Sequence, residues 1–205
     1  ERRLEALAAN PELNDQVKAA RALIEGSSER LTNALTNGLK VCVDLSFEEI
    51  QDDRELSSLA KQLAVAYGFL KKQQKPAHLH VCGLVPSSSI YSKLQQQGFE
   101  SWIISRHSEL PWDIYPKSNI VIMSPDASEP LETVESDKVY VIGGIVDRSV
   151  KKSQTLLKAT ELGIITRRLP IQEFIPNRQS HVLNVDHMIE ILNRIQENQS
   201  WEEVL

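Results

Sequence analysis

Residues 138–149 read Lys138-Val139-Tyr140-Val141-Ile142-Gly143-Gly144-Ile145-Val146-Asp147-Arg148-Ser149. The β-branched and aromatic run Val139 to Ile142 has no polar alternation, so it reads as a strand buried on both faces, as in a parallel sheet covered by helices. It stops at two glycines. Such a pair lets a backbone turn sharply and lets a ligand approach without a Cβ in the way. Asp147, three residues past the pair, can be presented to that ligand. By itself the pair reads first as a tight strand-to-helix turn. It lacks the third glycine of a dinucleotide fingerprint, and no phosphate-loop motif is completed around it.

The flanking sequence alternates in the same way. Upstream, Val41-Cys42-Val43-Asp44-Leu45, His78 to Leu84, Phe99 to Ser105 and Ile120-Val121-Ile122-Met123 read as strands. Asp53 to Gln73 reads as an amphipathic helix with Leu56, Leu59, Leu63, Tyr67 and Leu70 on one stripe. Ser87 is the expected cap of a short helix that Gly98 ends, and a short acidic helix is expected between Asp126 and Val139. Downstream, Ser149 to Leu162 reads as a helix closed by Gly163, Ile164 to Leu169 as a sixth strand, and Asn184 to Glu197 as a helix with Val185, Met188, Ile189, Leu192 and Ile195 inward. This pattern predicts an α/β fold, a mostly parallel sheet with helices on both faces. Ligands of such sheets sit at the carboxyl ends of the strands. That singles out Ser124-Pro125-Asp126, Gly143-Gly144 to Asp147, and Leu169-Pro170-Ile171.

Residues 1–38 are expected to form a helical extension or linker, and 39–205 the main domain. In the extension Leu4, Leu7, Leu13, Val17 and Leu23 are too sparse for a strong core face. Pro11 starts a second helix, and Gly26-Ser27-Ser28 marks a break. The chain begins at Glu1 rather than Met, so it is expected to be trimmed at its N-terminus, where a targeting segment could have been lost; no secretory signal is visible.

The 205 residues, 41% apolar and 25% charged, suit a globular domain, and no apolar run is long enough to cross a bilayer. Cys42 and Cys82 are too few for a disulfide framework and read as buried thiols of a reducing compartment. His78, His80 and Cys82 alternate on one strand face, but that face points to the core and no fourth ligand is near, so no metal site is expected. The net charge is −5. Against it, residues 148–178 hold seven basic side chains (Arg148, Lys151, Lys152, Lys158, Arg167, Arg168, Arg178) and only Glu161 and Glu173 as acids. A solvated surface explains any one of these; the cluster beside the glycine corner equally suits a phosphate-rich partner.

Three ordered segments carry a family resemblance: Val139 to Asp147, then Leu169-Pro170-Ile171, then Val182-Leu183-Asn184-Val185-Asp186-His187. With Val41 to Phe47, Ser124-Pro125-Asp126 and Ser200-Trp201-Glu202-Glu203, they resemble the tRNA purine-9 N1-methyltransferases of the SPOUT superfamily over roughly residues 39–205. The resemblance implies a C-terminal trefoil knot, an exception to the usual absence of knots. It implies S-adenosylmethionine as cofactor, tRNA as partner, a monomer, and a place in the cytoplasm or nucleus, with the mitochondrion open. The implied cofactor residues are Ile122, Ser124, Gly143, Asp147, Arg148, Ser149, Val150, Lys151, Thr155, Leu169, His181, Val182 and Leu183. Asp147 matches the family's proposed general base. Arg148, Lys151, Lys152, Arg167, Arg168 and Arg178 are the expected tRNA contacts. The product would be N1-methylguanosine or N1-methyladenosine at the ninth position. The competing reading is a non-catalytic tRNA-binding platform on the same fold.

Overall fold

The computed structural model describes residues 11–146, 154–176 and 183–205. Six strands form one all-parallel sheet: β1 (Lys40–Asp44), β2 (His78–Cys82), β3 (Ser105–Arg106), β4 (Ile120–Met123), β5 (Val139–Gly143) and β6 (Ile165–Arg167). Their order across the sheet is β3-β2-β1-β5-β4-β6, and β1 and β5 pair in the register Asp44↔Gly143. The expected strand class and the parallel sheet are both present.

The helices are α1 (Pro11–Ile24), α2 (Ser27–Asn37), α3 (Asp53–Leu70), α4 (Ser89–Gln95), α5 (Pro111–Ile114), α6 (Gln154–Leu162), α7 (Ile171–Phe174), α8 (Val185–Gln196) and α9 (Trp201–Val204). Helix α3 begins at a capping box. The Asp52 carboxylate accepts from the Glu55 N–H at 2.8 Å, and the Glu55 carboxylate accepts from the Asp52 N–H at 2.7 Å. Its predicted stripe, Leu56, Leu59, Leu63, Tyr67 and Leu70, is buried. The α8 stripe of Val185, Met188, Ile189 and Leu192 is buried too, and α3 and α8 pack together over the sheet.

Strand alternation divides the core between the two faces. Val41, Val43, Tyr140 and Ile142 share one cluster with Leu59 and Leu63 of α3. Cys42, Ile122, Val139 and Val141 share the other with Ala159 of α6. The connection leaving β1 therefore covers one face, and the helix after β5 covers the other. The β1–β5 seam is the point where neighbouring strands send their chains opposite ways, which opens a crevice at their carboxyl ends.

Several local expectations change. The Phe99 to Ser105 segment is a 3-10 turn, Phe99–Ser101, followed by irregular chain; only Ser105–Arg106 is strand. Phe99, Trp102 and Ile104 are buried there without a ladder. Trp102 stacks on Tyr67 at 4.8 Å, and the Arg106 guanidinium donates to the carbonyls of Phe99 and Trp102 at 2.7 and 2.9 Å. Ser88, not Ser87, caps α4, accepting from the Tyr91 N–H. The expected acidic helix after Asp126 is irregular chain, bridged in parallel between Pro130 and Arg168. Proline has no N–H to give a helix interior, and the neighbouring amides pair with the end of β6 instead: Leu131 N–H donates to Arg168 O at 2.7 Å and Arg168 N–H to Glu129 O at 3.0 Å. In the N-terminal region, Leu31 and Ala34 of α2 are buried, and Leu31 joins the main core. Arg30 ties α2 to the domain by donating to Gln73 O at 2.9 Å.

Candidate functional site

The carboxyl ends of β5, β4 and β6 lie side by side. Just past β4, Ser124 is buried. Its N–H donates to Arg167 O at 2.9 Å, and its hydroxyl accepts from the Asp126 N–H at 3.3 Å. Met123, Ser124, Pro125, Ile142, Leu169, Leu183 and Met188 line one pocket at these ends. Three residues proposed from the sequence, Ser124, Leu169 and Leu183, therefore meet although they come from three separate segments. Ile122 does not line this pocket. Its side chain is in the opposite face's cluster, so only its main chain remains available on this side.

The glycine corner stands beside this pocket. Gly143 is the last residue of β5, and the Gly144 N–H donates to Asp44 O at 2.8 Å. A Cβ on Gly144 would lie 2.8 Å from that same oxygen and 3.0 Å from Leu45 Cδ2. Gly144 is thus required by the close approach of β1, and not by a left-handed turn. Asp44 is 2% exposed, and its carboxylate accepts from the Ser46 N–H at 3.0 Å. Burial holds its pKa above the ordinary value, partly opposed by the Ser46 hydrogen bonds and by Lys158. Asp44 closes a local turn here; the cap of α3 is Asp52.

Two glutamines that no sequence pattern singles out hold chain segments that adjoin the pocket residues Ile142 and Leu183. Gln51 donates from Nε2 to Gly144 O at 2.8 Å and accepts at Oε1 from the Val146 N–H at 3.1 Å. Gln62 on α3 accepts at Oε1 from the Val185 N–H at 2.9 Å, two residues past Leu183. These partners are far apart in sequence, so neither glutamine leaves a local signature.

Of the basic residues, Arg167 donates to Thr166 O at 2.8 Å, and Arg168 forms a two-pronged ion pair with Glu173 at 2.9 and 2.7 Å. Lys158 lies 5.5 Å from the centre of the Trp112 ring. Thr155 falls in α6, with its side chain outside the description. Asp147, Arg148, Ser149, Val150, Lys151, Lys152, Arg178, His181 and Val182 lie outside the described residues.

The His78, His80 and Cys82 face is internal. His78 Nε2 is 2.8 Å from Ser105 Oγ, His80 Nδ1 is 3.0 Å from Tyr115 OH, and Cys82 Sγ is 3.0 Å from Cys42 Sγ. Burial lowers the pKa of His78 to about 4 and pushes that of His80 down further, so both rings are neutral at physiological pH. A separate cavity of about 640 Å³ opens at the ends of β1 and β2, lined by Ser46, Glu48, Gln51, Gly83 and Ser88 among others.

The residues at the β4–β5–β6 ends fit S-adenosylmethionine in chemical type. Met123, Ile142, Leu169, Leu183 and Met188 offer an apolar wall and Ser124 a hydroxyl, while the space they enclose is about 20 Å³, less than a nucleobase fills.

A family model described as tRNA (guanine(9)-N(1))-methyltransferase TRM10/TRM10A matches residues 1–205. The chain is 33% identical over 202 residues to tRNA methyltransferase 10 homolog B of Danio rerio, covering 95% of this chain and 65% of that protein. Against the Homo sapiens homolog B it is 33% identical, covering 100% of this chain and 67% of that one. It is also 33% identical to the tRNA (guanine(9)-N1)-methyltransferase of Eremothecium gossypii, covering 83% of this chain and 58% of that protein. The chain thus spans 58–67% of the length of these three relatives. Among solved structures, full-length spTrm10 as an SAH complex superposes with a TM-score of 0.74 at 24% identity, over 81% of this chain and 92% of that one. A Trm10 structure from Thermococcus kodakaraensis superposes with a TM-score of 0.61. The fold is therefore the SPOUT type that these Trm10 structures share.

Proposed function

The chain belongs to the tRNA (guanine(9)-N(1))-methyltransferase TRM10/TRM10A family, and from that premise we propose that it methylates N1 of the purine at position 9 of tRNA, guanine first. The observation that carries this is the meeting of Ser124, Leu169 and Leu183 beside the Gly143-Gly144 corner, from which the sequence leads directly to Asp147. S-adenosylmethionine, when bound, supplies an electrophilic methyl group on a sulfonium.

The chain's own residues do the rest. Ser124, Leu169 and Leu183 hold the cofactor at the strand ends. Asp147 takes the proton from N1 of guanine, which the ring must lose as N1 gains the methyl group. Adenine N1 already offers a lone pair, so there Asp147 orients the base instead. Arg148, Lys151, Lys152 and Arg178 neutralise tRNA phosphates, a contribution that weakens as salt rises. N1 is reached by exposing the base from the tRNA core. The strand-end segments form the trefoil knot, and the enzyme acts as a monomer. The two buried free thiols suit a reducing compartment, cytoplasm or nucleus.

The test is calorimetry with S-adenosylmethionine followed by mass-spectrometric nucleoside analysis of unmodified tRNAs bearing G or A at position 9. The expected result is cofactor uptake and N1-methylguanosine at that position. No uptake and no methyl transfer would leave the tRNA-binding platform as the function.

A further inference from the structure

We propose that Gln51 is a positioning residue for the methyl-transfer reaction, fixing the main chain of Gly144 to Val146; this rests on the functional reading above. Gln51 is half-buried in the loop between β1 and α3. Its amide meets the corner with both ends: Nε2 donates to Gly144 O at 2.8 Å, and Oε1 accepts from the Val146 N–H at 3.1 Å. One planar group so satisfies an acceptor and a donor two residues apart, as a neighbouring strand would. The partners also set the amide's orientation, because the reverse would face donor to donor and acceptor to acceptor.

The clamp itself is anchored. Nε2 also lies 3.2 Å from Phe47 O, and the Gln51 N–H donates to Glu48 O at 2.9 Å. The corner needs such an anchor because β5 ends at Gly143 and its ladder partner β1 at Asp44, so residues 144–146 run past the last register pair. Gln51 lines the 640 Å³ cavity, so water can replace its amide if it is truncated. The fold then loses little and the Gly144 N–H stays on Asp44 O, while the Gly144 carbonyl and the Val146 N–H lose their fixed partner. Asp147 follows Val146 in the chain, so any drift of that peptide passes to the proposed base. A misplacement of about 1 Å can cost as much as ~100-fold in rate.

The experiment compares the full chain with Gln51→Ala and with Gln51→Met, which fills a similar volume but makes no hydrogen bonds. Four quantities are read: melting temperature, amide exchange at 144–146 without cofactor, and kcat and KM on tRNA. The expected result is unchanged melting, exchange at Val146 faster by about tenfold or more, and kcat lower by about 10–100-fold with KM for tRNA within about twofold. Unchanged exchange at Val146, or kcat within about twofold of the unsubstituted chain, overturns the inference. If the unsubstituted chain itself transfers no methyl group, the functional reading falls, and the exchange measurement still decides whether Gln51 holds the corner.

Discussion

The main-chain carbonyl of Asp44 receives the Gly144 N–H at 2.8 Å, and a Cβ on Gly144 would stand at the same 2.8 Å from that oxygen. The second glycine of the pair is therefore held by the sheet. Gly144→Ala should push β1 and β5 apart at their carboxyl ends, an overpacking cost of about 1–3 kcal/mol. Urea unfolding measures it. An unchanged midpoint would mean the seam can relax to admit a methyl group.

Asp44 should make stability depend on pH in the sense opposite to a salt-bridged carboxylate. Burial raises its folded-state pKa above the ordinary 3.8. The folded protein then binds more protons than the unfolded chain between those two values. The associated stability is present below about pH 4 and is lost as pH rises through the folded-state value. Asp44→Asn keeps an acceptor for the Ser46 N–H and removes the titration. Unfolding free energies from pH 4 to 8 should fall less in the variant, and identical slopes would contradict the raised pKa.

Much of the sheet is legible in the sequence because its central strands are unbroken β-branched runs, as in Val41-Cys42-Val43 and Val139 to Ile142. The α3 and α8 stripes are legible by period. Phe99 to Ser105 misleads because its apolar residues bury through stacking on Tyr67 and through the carbonyl contacts of Arg106, with almost no ladder. The acidic stretch after Asp126 misleads because its amides pair with the distant end of β6. At the candidate site, Ser124, Leu169 and Leu183 could be named from motifs at strand ends. Gln51 and Gln62 could not, since each reaches a partner roughly a hundred residues away.

The basic residues should not behave alike. Arg168 is already engaged by Glu173 through two contacts, with its side chain only 15% exposed. Arg168→Ala should leave tRNA affinity nearly unchanged and alter stability by no more than about 1 kcal/mol, the range of partly exposed pairs. Replacing Arg148, Lys151 and Lys152 together by Glu should weaken tRNA binding strongly and flatten its dependence on salt. Filter binding at several salt concentrations separates the two variants. Equal losses in both would remove the distinction between a structural and an RNA-facing arginine.

Asp147→Asn tests the proton-transfer step most directly. Asparagine keeps the size and a hydrogen-bonding oxygen but cannot take a proton near neutral pH. If Asp147 is the base, kcat on tRNA with G at position 9 should fall by about 10²–10⁴-fold, while cofactor affinity by calorimetry stays within about threefold. The loss should be smaller on tRNA with A at that position, because N1 of adenine carries no proton to remove. Raising the pH should partly restore the guanine reaction, since a larger fraction of the base then loses its proton to solvent. Full guanine activity in the variant would assign Asp147 to orientation alone and move the proton to water.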